Sequence, residues 1–367
     1  MNILIFIIIL LVLVLAHEWG HFFSAKKFGI RVDEFGFGFP PKITSFKKGE
    51  TVYSFNALPI GGFVKIYGEN PDEENTNGVD ANRSMVNKPR WQQAIVLFAG
   101  IFMNFVLAWV LFSVGFMSGL PTSTSGISSE QKLTDVHLMI VGISPKSPAE
   151  IAGLKSGDKI VSLASGTDEL SAVNPDSVRT FIQTHPTNEI EVDYLRGKNN
   201  TFSSIKVTPT ISKGNTNATI GIAMDTIGIL KLPFFSAIWE GLKFDCTVTK
   251  DTVVGLLSLI KNSVVGKANF SDVSGPVGLV GAVGDAYKGF GFAYLISFAA
   301  MISVNLAVIN LFPFPALDGG RLLFLLVEKI KGSRINPKFA NYANLIGFGL
   351  LMLLMLVVTY HDIVKLF

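Results

Sequence analysis

His17-Glu18-Trp19-Gly20-His21 is the stretch of this sequence best equipped for chemistry. On a helix, residues four apart share a face, so the two imidazoles can converge on one divalent cation while Glu18 stands beside it to take a proton from water. That combination of ligands and base is the chemistry of a hydrolytic zinc site. Its setting sharpens the reading. Asn2 to Ala16 is almost wholly apolar, and a carboxylate with two histidines directly after such a run is costly in a membrane unless a bound metal compensates.

A catalytic zinc commonly takes three protein ligands and one water, so His17 and His21 call for a third. The segment Asn310-Leu311-Phe312-Pro313-Phe314-Pro315-Ala316-Leu317-Asp318-Gly319-Gly320 offers an intramembrane carboxylate, Asp318. Its two prolines must break or kink a helix, which frees backbone groups tolerable in a membrane only where they face protein or a wet cavity. Asp318 fits the third ligand position. A competing reading makes it the N-cap of a helix, paired with Arg321 at the membrane surface.

The elements that hold these residues must cross a bilayer. Among 367 residues, 49% are apolar and 16% charged, the balance of an integral membrane protein. The net charge of +3 is spread over short loops beside apolar spans, so no nucleic-acid partner is implied. The single cysteine, Cys246, excludes an internal disulfide and a cysteine-based zinc site, and reads as a small packed residue.

Four spanning helices are expected, at residues 2 to about 25, 91 to about 117, from about 292, and 342–361. No Lys or Arg precedes the first, no small-residue cleavage site follows it, and it leads into the histidine motif, so it reads as an uncleaved span rather than a signal peptide. His17 would lie about 20 Å along it, past the midplane of a core about 30 Å thick. Lys26, Lys27 and Arg31 open a basic loop, and Arg321, Lys329, Lys331, Arg334 and Lys338 mark a second. The positive-inside rule makes both loops cytoplasmic and both termini outside, with His21 and Asp318 toward the cytoplasmic side.

In the first loop, Glu34 to Pro40 and Thr51 to Ile66 read as strands, with Gly61-Gly62 allowing a bend. The resulting small sheet either dips its phenylalanines into the membrane and offers an edge to an extended substrate, or is a hairpin with no such role. Asn70 to Asn87, rich in Asp, Glu and Asn, reads as a mobile surface loop. Asn104, a polar residue in the second span, reads first as a packing residue bonded to a neighbouring helix, and second as part of the site.

From residue 135 to 210 the composition is that of a small soluble domain. Strands are expected at 138–143, 159–163, 190–194 and 204–207, and a helix at 176–184. Val141-Gly142-Ile143-Ser144-Pro145-Lys146-Ser147-Pro148-Ala149, followed by Ala152-Gly153-Leu154-Lys155-Ser156-Gly157-Asp158-Lys159-Ile160, resembles a PDZ domain. That fold implies capture of an extended peptide or substrate terminus at a strand edge. Lying between spans two and three, it would be extracytoplasmic; His137 and His185 within it read as surface or turn residues. Residues 238 to 260 read as an amphipathic helix on the outer interface, and Ser274-Gly275-Pro276-Val277-Gly278 as a turn toward the membrane.

Taken together, the H-E-x-x-H motif, Gly36 to Phe39, Ala99-Gly100 with Asn104, the inserted PDZ-like segment and N-x-x-P-x-P-x-L-D-G-G at 310–320 resemble the site-2 protease family. These are zinc metalloproteases that cut within the membrane, and the match is nearer to the bacterial regulator-of-sigma-E protease branch. The resemblance implies zinc held by His17, His21 and Asp318, Glu18 as general base, and Asn310 holding the substrate or polarising its carbonyl. It further implies single-span membrane proteins as substrates in the lipid bilayer of a bacterial cytoplasmic membrane. Ile101 stands where a proline is expected after Ala99-Gly100, and one PDZ-like segment is present where some relatives carry two. The expected plan is an α-helical polytopic membrane protein of about four spans, with a small membrane-associated β element and an inserted PDZ domain. Its parts are 1–118 and 291–367 as membrane core, 135–210 as PDZ domain and 236–290 as interfacial segment. The rivals are an ion or metal transporter, since intramembrane His, Glu and Asp also build ion paths, and an inactive PDZ-bearing membrane scaffold.

Overall fold

The apolar runs fold as helices because a chain in hydrocarbon must satisfy its backbone internally. The computed structural model describes residues 2–70, 73–124, 133–197, 201–211, 217–266, 275–290 and 292–364. The chain opens with α1 (Asn2–Lys27), β1 (Val32–Lys48), β2 (Thr51–Ile66), a short α2 (Glu73–Asn77) and α3 (Arg90–Ser118). Then come β3 (Leu120–Ser123), β4 (Leu133–Ile143), α4 (Pro148–Ala152), β5 (Lys159–Ser165), β6 (Asp168–Leu170) and α5 (Pro175–Thr184). These lead to β7 (Ile190–Arg196), β8 (Thr201–Val207), β9 (Thr210–Ile211), β10 (Ala218–Thr219) and β11 (Ile222–Leu230). The rest is helical: α6 (Phe234–Val264), α7 (Pro276–Phe290), α8 (Phe292–Leu311), α9 (Asp318–Lys331) and α10 (Pro337–Val364). Among them α1, α3, α8 and α10 are long and apolar enough to cross a membrane. The protein is a membrane protein with a β element.

The chain divides into two compact units, one of residues 1–113, 238–284 and 298–367, the other of residues 114–237 and 285–297. In the first, β1 and β2 each double over, so their register gives four short runs in the order 62–66, 32–37, 51–56, 42–48, the two outer pairings antiparallel and the central one, 34–37 on 52–55, in parallel register. Directly opposed aromatics hold it: Phe37 stacks on Phe55 at 4.6 Å and Phe46 on Tyr53 at 5.2 Å. At the tip, Glu50 pairs with Lys26 at the end of α1 and with Arg83, and the two cations hold its carboxyl below the usual range. β1 runs further than expected, to Lys48, because 42–48 pair with 51–56.

Residues 73–87 fold into α2 and two 3-10 turns where a mobile loop is expected. Asn87 stitches them by donating to the carbonyls of Thr76 and Ala81, while Ser84 is buried. Of the expected turn at 274–278, Ser274 lies outside the described residues, and Pro276 begins α7 instead. Proline at a first helical position costs no hydrogen bond, and the Asp362 carboxylate accepts from the Gly278 N–H in the first turn. The second basic loop likewise contains a helix, α9, closed by Gly332 in the left-handed region. Inward-facing residues of α6, Phe244, Val248, Val253 and Leu256, pack on Ala108 and Phe112 of α3 and Ala300, Val304 and Val308 of α8.

The second unit is built on an antiparallel sheet of order β3-β11-β4-β5-β7-β8, with β6 on β5. The expected strand positions fall in β4, β5, β7 and β8, and the expected helix in α5, which Asn174 and Ser177 cap reciprocally. The sheet continues past residue 210, to Leu230, because β11 pairs along β4. Its core gathers Ile140, Leu163, Val178, Ile190 and Val192, each at most 1% exposed. Asp158, buried, accepts both Arg196 guanidinium bonds at 2.7 and 2.6 Å and the Lys155 N–H at 2.8 Å, which ties the α4–β5 turn to β7. His137 pairs with Asp135, and His185 closes α5 and pairs with Asp168; among the described residues neither belongs to a group of three potential metal ligands.

Candidate metal centre

α1 presents His17, Gly20, His21 and Ser24 as buried residues on one side, where two small positions let α3 come close. A Cβ on Gly20 would stand 2.3 Å from the Ala99 carbonyl oxygen, and one on Gly100 would stand 2.3 Å from the His21 ring. Only glycine at both positions permits this approach.

Asp318 arrives through a reversal of the chain. Pro313 and Pro315 prevent α8 from continuing past Leu311, Ala316 turns with φ of 74°, and the Ala316 N–H donates to Asn344 Oδ1 at 3.2 Å. α9 then folds tightly against the end of α8. A Cβ on Gly319 would lie 2.3 Å from the Leu311 and Phe312 carbonyl oxygens, and one on Gly320 would lie 2.2 Å from that of Phe314. The glycine pair after Asp318 is a packing requirement. Arg321 pairs with Glu69, not with Asp318, and the residue before α9 is Leu317, so the competing N-cap reading of Asp318 does not hold.

His17 Nε2 and His21 Nε2 lie 3.1 Å apart, and Asp318 Oδ2 stands 3.0 Å from the first and 3.3 Å from the second. Ligands about 2.0–2.1 Å from a tetrahedral zinc are spaced about 3.3 Å from one another, so this triangle has the dimensions a zinc ion requires. The outer ring nitrogens point away to other partners. His21 Nδ1 lies 2.8 Å from the Val96 carbonyl, which makes it the protonated nitrogen and leaves Nε2 with its lone pair facing inward. His17 Nδ1 meets the Asn104 amide at 3.3 Å. Three inward donors with outer nitrogens already engaged fit a zinc ion.

These atoms open on a cavity of about 320 Å³, lined by Glu18, Phe63, Val64, Asn104, Asn310 and Asp318 among others. Val64 lines this cavity beside Glu18, so the outer run of β2 borders the site. The structure therefore brings His17, Glu18, His21, Asn310 and Asp318 to one cavity. It adds partners that the sequence reading did not assign, the Val96 carbonyl and Asn344, and it sets Asn104 against His17, the second of the two readings of that residue, while Gly100 makes room for the His21 ring. Val96, Gly100 and Asn104 recur every fourth residue, and that spacing was the available signal of a common face toward α1.

The sequence profile of peptidase family M50 matches residues 5–354. A candidate zinc metalloprotease of Clostridium acetobutylicum is 37% identical over 99% of this chain and 97% of its own length. The regulator of sigma-W protease of Bacillus subtilis is 32% identical over 100% and 99%, and a zinc metalloprotease of Shouchella clausii is 31% identical over 100% and 99%. With four helices apolar enough to cross a membrane and a two-histidine, one-carboxylate cluster among the described residues, and matches that run nearly end to end, the chain belongs to peptidase family M50, the intramembrane zinc metalloproteases of the site-2 type.

Proposed function

We propose that His17, His21 and Asp318 hold the zinc, and that Glu18 is the general base for hydrolysis of a peptide bond in a membrane-spanning substrate. The triangle of ligand atoms with Glu18 on the same helix carries this reading. Bound there, zinc supplies the Lewis acid that acidifies water and polarises a carbonyl. Glu18, on the wall of the same cavity, takes the proton of the attacking water and returns it to the leaving amine. Asn310 borders the same cavity, where its amide can hold the substrate backbone or its scissile carbonyl. A helical substrate hides its carbonyls in its own hydrogen bonds. The outer run of β2 at 62–66 pairs with a strand on one side only among the described residues, and it offers replacement bonds to an unwound segment.

The substrates on this reading are single-span membrane proteins, such as anti-sigma factors or remnant signal peptides, as in the regulator-of-sigma-E branch. The basic loops lie in the cytoplasm, with the termini outside and the metal nearer the cytoplasmic face. The sheet of the second unit acts as an extracytoplasmic PDZ domain. A groove of about 580 Å³ runs between α5 and the 218–224 stretch, lined by Arg179, Ile182, Gln183, Ile222 and Met224. β11 pairs with β3 only over 227–230, so 222–226 keeps one edge without a strand partner among the described residues, and a peptide terminus adds there. His17→Ala and Asp318→Asn in detergent should each lose stoichiometric zinc and stop cleavage of a single-span substrate. Retention of both zinc and cleavage by either variant would remove that residue from the site.

A further inference from the structure

Asn104 sits in the middle of α3, 1% exposed, with its amide 3.3 Å from His17 Nδ1 and its Oδ1 without a hydrogen-bond partner among the described residues. The oxygen and nitrogen of an asparagine amide are nearly isosteric, so their placement is decided by the network around them. If His17 holds a metal through Nε2, its Nδ1 carries the ring proton and is a donor. An amide NH2 turned toward it would set two donors against each other in a buried place. The carbonyl oxygen turned toward it gives one good bond and removes the orphaned acceptor.

We infer that Asn104 is a positioning residue of the metal centre: its Oδ1 accepts the His17 Nδ1–H and so holds Nε2 as the ligand atom. This rests on the reading of His17 as a zinc ligand. The same face of α3 treats the second histidine alike, since the Val96 carbonyl accepts from His21 Nδ1 and Gly100 leaves room for its ring. Asn104 is itself held in place, because Ser303 of α8, fully buried, donates to its backbone carbonyl at 2.8 Å. Its side chain is among those that line the metal cavity.

The test compares zinc affinity, by competition with a chromophoric chelator, for the full chain in detergent as wild type, Asn104→Leu, Asn104→Ala and Asn104→Asp. Removing an outer partner of a ligating histidine costs about 10–100-fold in metal affinity. Leucine, which fills the space, and alanine, which leaves it open, should both show that loss, while aspartate, which keeps the acceptor, stays within ~3-fold of wild type. The metal-free leucine variant should melt no lower than the metal-free wild type, which separates the effect from misfolding. Wild-type affinity in the leucine variant, or an aspartate variant as weak as leucine, would overturn the inference. Wild type that takes up no zinc overturns the ligand assignment, and this role with it.

Discussion

Gly100→Ala separates the metal centre from the stability of the fold. The added Cβ would stand 2.3 Å from His21 Nε2, 2.5 Å from Cε1 and 2.8 Å from Cδ2, while ordinary contact begins near 3.4 Å. The ring must therefore retreat by about 1 Å, several times the ~0.2 Å tolerance of a metal–ligand distance. It cannot slide freely, because Nδ1 is tied to the Val96 carbonyl of the same helix α3. Alanine favours a helix over glycine by about 1 kcal/mol, which offsets part of the ~1–3 kcal/mol that overpacking costs. The metal-free protein should thus melt within a few degrees of wild type, while zinc affinity falls by at least ~100-fold, the upper end of what an outer-shell deletion costs. Chelator competition and melting with and without zinc measure the two quantities. A Gly100→Ala protein that binds zinc as wild type does would refute the reasoning, since it would mean that His21 is not confined as described.

Asp158→Ala should leave the Arg196 guanidinium without its buried bidentate partner and cost the second unit ~3 kcal/mol, read as faster proteolysis between 133 and 230 in rising urea; a shift under ~0.5 kcal/mol would refute it. Burial pushes the Asp245 carboxyl of α6 up to about 6, and its Oδ1 has no partner among the described residues. Between roughly pH 4 and 6 the folded state keeps a proton that the unfolded chain releases, so this group lowers stability as pH rises through that window, by up to about 3 kcal/mol above it. Asp245→Asn should melt higher than wild type at pH 8 and alike at pH 4, and equal melting at both values would contradict the assignment.

Elements with strong periodicity were legible in the sequence. The apolar runs of α1, α3, α8 and α10, the alternation in β4 and β7 and the capped stretch of α5 announce themselves locally. What escaped depends on residues distant in sequence. α7 begins at Pro276 with Asp362 at its first turn, and the strained turn at Ala316 is held by Asn344. Residues 73–87 look disordered by composition yet are stitched by Asn87. The five candidate site residues were named from motif and resemblance, and they converge on one cavity. Asn104 read first as a packing residue and only second as part of the site, because a lone asparagine in a span carries no signature of what it faces, and the fold sets it against His17.

The most direct test of the account is Glu18→Gln, which keeps the size and most of the polarity of the side chain and removes its basicity. Zinc content and cleavage of a single-span substrate should be measured side by side for wild type and variant in detergent. The account predicts one zinc per chain in both and cleavage by the wild type alone. Cleavage at the wild-type rate by the zinc-loaded variant would contradict the role given to Glu18 and the hydrolytic reading of the whole centre.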